Sequence, residues 1–419
     1  IFISFLTAIL FGIHPLQVES VAWISERKGL LCTFFLLGSI ISYFYYVQKN
    51  KVSKYYIYSL FLFVLALLSK GTAVILPVAL LLSDYFVFLK RKREIFWDKI
   101  PFFILFLLFT IITIYARYVG VDVSSAGLNT ILDKIKIASY CVMFYLNKIF
   151  IPINLSCVYT YPAGKYDSSI FAFLISLFLI FALLAAMIMS LKYTKKFFLA
   201  IALFLVSILP ALQFVPVGRA IVADRYIYFP SIWVFYIISV FIVWIFGKTR
   251  GNKRGYSVSR IALIVTLFLS LVSLVFITQN RAKAWKDSIS LWNEALRVSP
   301  SAIANNHLGL AYQMKGDFNR AVSYYTAAIY LDPKFFKAYN NRGIVYQLQG
   351  ELEKAIIDYS MALEINPRYF RAYRNRARVY YLKRVYNKSW EDVSIAEKLG
   401  QKMDDQFIES LKKASGREN

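Results

Sequence analysis

Residues 171–212, FAFLISLFLIFALLAAMIMSLKYTKKFFLAIALFLVSILPAL, contain two long apolar runs joined by a short basic hinge. The first run carries no charged side chain. A helix of about 17–25 such residues crosses the hydrocarbon core of a bilayer, because it satisfies its backbone hydrogen bonds internally. The hinge holds Lys192, Lys195 and Lys196, the basic excess expected of a cytoplasmic loop. The stretch therefore reads as two membrane spans, 169–191 and 197–215, joined on the inner side.

Comparable runs extend in both directions, at about 1–13, 29–47, 55–69, 72–89, 100–118, 230–246 and 261–278. Three further loops are basic: 48–54 with Lys49, Lys51 and Lys54; 90–99 with Lys90, Arg91, Lys92, Arg93 and Lys99; and 247–260 with Lys248, Arg250, Lys253, Arg254 and Arg260. The spans between the four basic loops come in even numbers, so all four fall on the cytoplasmic side together. Residues 131–153 are apolar but include Lys134, Lys136 and Lys148. Parity makes this segment an interfacial or re-entrant helix on the outer side. Loops 14–28, 119–168 and 216–229, and everything after residue 279, then lie outside, in a bacterial periplasm or an endomembrane lumen. The first run lacks the basic start and cleavage site of a signal peptide. It reads as the back half of a span, with more sequence expected upstream.

Composition agrees. Of 419 residues, 58% are hydrophobic and 17% charged, against about 45–50% and 25% in soluble domains. The net charge of +25 raises the possibility of nucleic-acid binding. The cations cluster in short loops between apolar runs, which is membrane topology, so no nucleic-acid partner is expected. Three cysteines, Cys32, Cys141 and Cys157, are too few and odd in number for a disulfide framework.

After Gln279 a 34-residue period appears. Gly309, Tyr312, Gly316, Ala321, Tyr325, Ala328 and Pro333 recur as Gly343, Tyr346, Gly350, Ala355, Tyr359, Ala362 and Pro367. This is the tetratricopeptide (TPR) signature of paired helices stacked into a solenoid. A degenerate third copy keeps Ala377, Tyr380 and Ala396; a half-copy runs from Trp292 to Pro300; and 402–414 reads as a polar capping helix. The fold class is thus all-α: a polytopic transmembrane bundle over 1–279, then a TPR solenoid over 280–419. The first helices of such arrays line a groove that takes extended peptides. His307, Asn341 and Asn375 occupy equivalent groove positions, and Arg371, Arg374 and Arg378 add a basic stripe. Asparagine amides can hold a peptide backbone without reading its sequence. The alternative is a solvated helix face.

The outer loops carry charges that composition does not explain: His14, Glu19, Glu26, Arg27 and Lys28 in HPLQVESVAWISERKG, Lys70 in the turn SKG, and Asp224 and Arg225 in VADRYIYFP. Ionisable groups near membrane depth are functional candidates by default. Cations there suit a lipid-linked phosphate; the carboxylates and histidine suit acid–base chemistry or a divalent metal. Simpler readings are an Asp224–Arg225 ion pair, snorkelling of Arg27 and Lys28 to headgroups, and His14 as a turn residue. No spacing matches a nucleotide loop, a zinc tetrad or a catalytic triad, so no metal site is assigned.

The stretches HPLQVESVAWISERKG, LLSKGTAVILPVALLLSDY and ADRYIYFPSI, followed by the half-repeat WKDSISLWNEAL and the TPRs, resemble the transmembrane and tetratricopeptide repeat-containing (TMTC-type) proteins and their bacterial relatives; the short array looks more like the latter. The resemblance covers nearly the whole chain. It implies a GT-C glycosyltransferase that moves a sugar, mannose in the animal members, from a polyprenyl-phosphate donor to Ser/Thr hydroxyls of protein acceptors held by the TPRs. It implies phosphate contacts for Arg27, Lys28, Lys70 and Arg225, a catalytic or metal-holding role for Glu19 and His14, and Asp224 orienting Arg225. The main catalytic acid of such enzymes lies in a first outer loop that these residues do not include. A non-catalytic TPR scaffold and a lipid-linked polysaccharide ligase are the rival readings.

Overall fold

A computed structural model describes residues 1–49, 51–88, 96–120, 130–160, 170–212, 220–248 and 256–417. Lys90, Arg91, Lys92 and Arg93, Arg250, Lys253 and Arg254, and loop residues 121–129, 161–169 and 213–219 lie outside the described residues. The chain folds as two compact units, Ile1–Trp285 and Lys286–Asn419.

In the first unit the helices are α1 (Phe2–Ile13), α2 (Gln17–Ala22), α3 (Arg27–Gln48), α4 (Ser53–Ser69), α5 (Leu76–Ser83), α6 (Ile100–Gly120), α7 (Ile131–Phe150), α8 (Ile170–Ser190), α9 (Lys195–Ile208), α10 (Ser231–Lys248) and α11 (Tyr256–Ala284). Among the described residues, three helices are long and apolar enough to cross a membrane: Ile24–Gln48, Phe173–Ser190 and Arg260–Ala284. Five shorter apolar helices accompany them. Expected span 72–89 is not one helix. A 3₁₀ turn (Gly71–Ile75) leads into α5, with Pro77 in its first turn, and a π-helix (Asp84–Phe88) follows. Expected span 197–215 likewise gives way after Ile208 to a 3₁₀ turn containing Pro210, since proline cannot donate to a continuing helix.

The α3–α4 pair is pinned by small polar residues. Ser39 Oγ donates to the Ser59 carbonyl at 2.8 Å and Ser59 Oγ donates to the Ser39 carbonyl at 2.9 Å, a contact suited to helices lacking a hydrophobic drive to associate in lipid. One apolar cluster gathers Leu36, Tyr43, Phe63 and Phe102. Another gathers Leu6 and Leu10 of α1, Ile137, Cys141 and Tyr145 of α7, and Phe204 and Phe235. Lys99, assigned by sequence to a solvated basic loop, is fully buried instead. It pairs with Asp84, and Tyr43 donates to the same carboxylate at 2.7 Å. A buried ion pair of this kind closes the apolar interior without leaving a lone charge.

Two short strands, β1 (Tyr159–Thr160) and β2 (Ala220–Val222), pair antiparallel with Tyr159 opposite Val222. They join two loops and bring Tyr159 to Asp224.

The second unit comprises α12 (Ser288–Val298), then the pairs α13 (Ala302–Met314) and α14 (Phe318–Leu331), α15 (Phe336–Leu348) and α16 (Leu352–Ile365), α17 (Phe370–Leu382) and α18 (Tyr386–Lys398), with α19 (Asp405–Ser415) at the end. Glycine and tyrosine of the repeat meet face to face: a Cβ on Gly309 would lie 2.6 Å from the Tyr325 ring, and one on Gly343 2.8 Å from Tyr359. The third copy has Ala377 and Val393 at the same places, so the gained methyl is matched by a lost ring. Gly316 and Gly350 turn between paired helices at φ +79° and +80°; Arg384 takes the same turn at φ +60°, a conformation that favours glycine. Arg342 and Arg376 each grip an aspartate of the following helix, Asp358 and Asp392, through two bonds of 2.8–2.9 Å.

Candidate functional site

Four charged side chains from three separated stretches meet in the first unit. Glu19 comes from α2, a short helix whose face Gln17–Ser20 is buried. Glu26 ends the 3₁₀ turn before α3, Lys70 leaves α4 in an extended conformation, and Arg225 sits in a 3₁₀ turn, Asp224–Tyr226. Arg225 Nη1 donates to Glu19 Oε1 at 2.5 Å, and its Nε lies 3.4 Å from Glu26 Oε1. Lys70 Nζ donates to Glu26 Oε2 at 2.9 Å. The guanidinium also lies over the rings of Trp23 and Tyr226, 4.9 and 5.0 Å from their centroids. Glu19 is fully buried, and its second carboxylate oxygen has no hydrogen-bond partner among the described residues. Burial, reinforced by the charge of Asp224 and opposed by Arg225, pushes Glu19 up to about 7.

Asp224 does not orient Arg225, as the sequence suggested. Its carboxylate accepts from Arg281 Nη2 at 2.7 Å and from the Tyr159 hydroxyl at 2.9 Å. Consecutive residues of a 3₁₀ turn project about a third of a turn apart, so the two neighbours face different partners. Burial raises the Asp224 carboxyl against the pull of Arg281. Arg281 also donates to the Ser156 carbonyl at 3.3 Å, tying the end of α11 to this network.

The other candidates stand apart. His14 is buried with both ring nitrogens engaged: Leu16 N donates to Nδ1 at 3.3 Å, and Nε2 donates to the Ile149 carbonyl at 3.0 Å. Burial lowers it to about 4. This neutral imidazole fastens the end of α1 to α7 and has no free nitrogen for catalysis or for a metal. Arg27 and Lys28 are exposed in the first turn of α3 and do not join the Lys70–Arg225 cluster. Among the described residues no three His, Cys, Asp or Glu side chains converge on a metal-sized space; Glu19 and Glu26 face a guanidinium instead.

A cavity of about 300 Å³ opens beside the cluster. Its wall includes Lys70, Arg225, Ser20 and Tyr226, and is otherwise largely apolar, with Leu36, Leu67, Ile75 and Phe229. Gly29 also lines it; a Cβ there would lie 3.3 Å from Glu26 Oε2 and 3.4 Å from Lys70 Nζ, so glycine gives the ammonium room. Glu19 does not line the cavity but stands behind Arg225.

In the second unit the asparagines form a ladder between repeats. Asn341 Nδ2 donates to Asn306 Oδ1 and Asn375 Nδ2 donates to Asn340 Oδ1, both at 3.0 Å. The amides expected to clamp a peptide thus already bridge adjacent first helices. His307 stacks on Trp292 with centroids 4.2 Å apart, and burial, with Lys337 nearby, lowers its pKa. Arg371 is exposed, Arg374 half-buried, and Arg378 lies 3.5 Å from Asp404 beside the capping helix.

Residues 3–116 match the family described as dolichyl-phosphate-mannose-protein mannosyltransferase, and residues 309–350 and 336–369 match TPR families. Two curated relatives contain both parts of the chain: protein O-mannosyl-transferase F38B6.6 of Caenorhabditis elegans, 27% identical over 340 residues, and protein O-mannosyl-transferase TMTC3 of Mus musculus, 24% identical over 371 residues. The chain is thus similar to the TMTC-type proteins along most of its length. The matches cover 80% and 79% of this chain but 46% and 39% of those proteins, so it spans less than half of their length. Among solved structures, the first TPR of Spaghetti (RPAP3) bound to an HSP90 peptide aligns over 28% of the chain at 23% identity and a TM-score of 0.27. MamA aligns over 32% at 26% identity and a TM-score of 0.26.

Sequence reasoning missed Arg281 and the pairing role of Glu26. Arg281 follows the last apolar run by one helical turn, in TQNRAKAW, a cation on the side the charge rule disfavours. That was its signal.

Proposed function

We propose that the first unit is the donor-binding part of a multi-pass membrane glycosyltransferase. Its cavity takes the head of a polyprenyl-phosphate sugar, with mannose as the sugar. Lys70 and Arg225 hold the phosphate, Glu19 positions Arg225 from behind, and the TPR unit presents Ser/Thr-bearing protein chains on the outer, periplasmic or lumenal, side. The observation that carries this reading is the pair of cations on the wall of a cavity that is otherwise largely apolar. With Glu19 pushed up to about 7 it is substantially protonated at neutral pH. Two cations then face Glu26 and a Glu19 that carries only part of its charge, and the remaining positive charge complements the negative charge of a phosphodiester. As the sugar leaves, its lipid phosphate gains charge, which fixed donors at that point stabilise. The match over residues 3–116 and the names of the two relatives support the same class of reaction.

The test is sugar transfer by the full-length protein in liposomes supplied with polyprenyl-phosphate mannose, read as hexose on Ser/Thr by mass spectrometry. Arg225→Ala is expected to abolish transfer at donor concentrations that saturate the unaltered protein. Unchanged transfer and donor binding would refute the phosphate role.

A further inference from the structure

Beside the charged cluster, the cavity wall carries the hydroxyl-bearing residues Ser20, Thr33, Thr72, Thr113, Ser207 and Tyr228. Ser20 follows Glu19 on α2, is 2% exposed and lines the cavity together with Lys70 and Arg225. Its hydroxyl has no hydrogen-bond partner among the described residues. Buried hydroxyls in folded proteins are bonded in the large majority of cases, and an orphan one needs a reason. The serines of the apolar helices show the usual solution: Ser69, Ser83 and Ser239 each donate to the carbonyl four residues back, at 2.7–2.8 Å. Ser20 makes no such bond. Its neighbour Glu19 fixes Arg225 at 2.5 Å, so one short helix anchors the guanidinium and places the unpartnered Ser20 in the wall of the same cavity.

We propose that Ser20 is a third phosphate-binding residue, whose hydroxyl donates to a phosphate oxygen held by Lys70 and Arg225. This rests on the donor-site reading above and extends it. Arg225, held by Glu19, and Lys70, held by Glu26, attract the anion from two sides; a hydroxyl on a buried helix adds a third point. The cavity then distinguishes a lipid phosphate from a neutral lipid alcohol by charge, and sets its rotation by Ser20.

The experiment measures binding of farnesyl phosphate, farnesyl-phosphate mannose and farnesol to the full chain in nanodiscs, for the unaltered protein, Ser20→Ala and Lys70→Ala. A hydrogen bond to a charged group corresponds to roughly a tenfold to hundredfold change in affinity. Ser20→Ala is expected to weaken both phosphates by about that factor and to leave farnesol unchanged. Without ligand, Ser20→Ala is expected to unfold at a temperature no lower than the unaltered protein, because it removes an unsatisfied group. That combination separates a ligand contact from a structural role, which would lower the unfolding temperature. If Lys70→Ala loses phosphate binding while Ser20→Ala binds as before, the Ser20 assignment is overturned and the donor-site reading stands. If Ser20→Ala weakens only the mannose-bearing ligand, its contact is with the sugar, and the phosphate assignment is overturned. If neither variant changes binding, the donor-site reading falls with it.

Discussion

Gly309→Ala tests the repeat packing, and its magnitude follows from one distance set. A Cβ at Gly309 would lie 2.6, 2.7 and 3.0 Å from three atoms of the Tyr325 ring, where carbon pairs prefer about 3.5–4.0 Å. The ring is fully buried, and its hydroxyl donates to Gln313 Oε1 at 2.7 Å, so it cannot swing aside without losing that bond. Overpacking costs about 1–3 kcal/mol, and the lost hydrogen bond about 1 kcal/mol. Replacing a helical glycine by alanine returns about 1 kcal/mol. The net is a local destabilisation of about 1–3 kcal/mol, or amide exchange roughly fivefold to a hundredfold faster across α13 and α14. Hydrogen-exchange mass spectrometry on the full chain reads this directly. The third repeat supplies the control: with Ala377 facing Val393, the double variant Gly309→Ala/Tyr325→Val is expected to fall short of the sum of its parts by about 0.5–3 kcal/mol. Exchange that is unchanged or slowed in Gly309→Ala would refute the packing, since the position would then behave as an open helix surface.

Arg384 takes a left-handed turn that glycine fills in the first two repeats, so Arg384→Gly is expected to slow exchange in α17 and α18, a gain of about 0.5–1 kcal/mol. Arg281→Ala leaves the buried Asp224 facing Tyr159 alone and is expected to destabilise the first unit by about 3–5 kcal/mol; adding Asp224→Asn should restore much of the lost unfolding temperature. Glu19 is raised from 4.5 to about 7, so its contribution is full below pH 4.5 and disappears as pH rises through 7. Unfolding temperatures from pH 5 to 8 should therefore fall more steeply for the unaltered protein than for Glu19→Gln, and equal slopes would contradict the burial argument.

What the sequence revealed depended on the range of the interaction. The repeats were legible because Gly309 and Tyr325, or Gly343 and Tyr359, recur at a fixed spacing within one supersecondary unit. Lys70 and Arg225 stood out because single cations between apolar runs break a topological rule. Their partners did not stand out. Glu19 and Arg225 are separated by 206 residues, and no local pattern marks a contact of that range. Adjacency misled at Asp224, because a 3₁₀ turn sends neighbours apart. The TPR asparagines carried a second ambiguity: an amide that can hold a peptide can equally hold the amide of the preceding repeat, and the 35-residue offset between Asn306 and Asn341 gives it that partner. Lys99 looked solvated because its loop is basic, yet the π-helix carries Asp84 to where the ammonium can be buried.

The cavity beside Lys70 and Arg225 is proposed to hold a lipid-linked phosphate. A photoreactive farnesyl phosphate, crosslinked to the full chain in nanodiscs and mapped by peptide mass spectrometry, tests it most directly. Labels are expected on the segments lining that cavity, around residues 20–36, 67–75 and 225–230. Those labels should be competed by farnesyl-phosphate mannose and lost in Lys70→Ala and Arg225→Ala. Labelling elsewhere, or labelling of these segments that survives both substitutions, would contradict it.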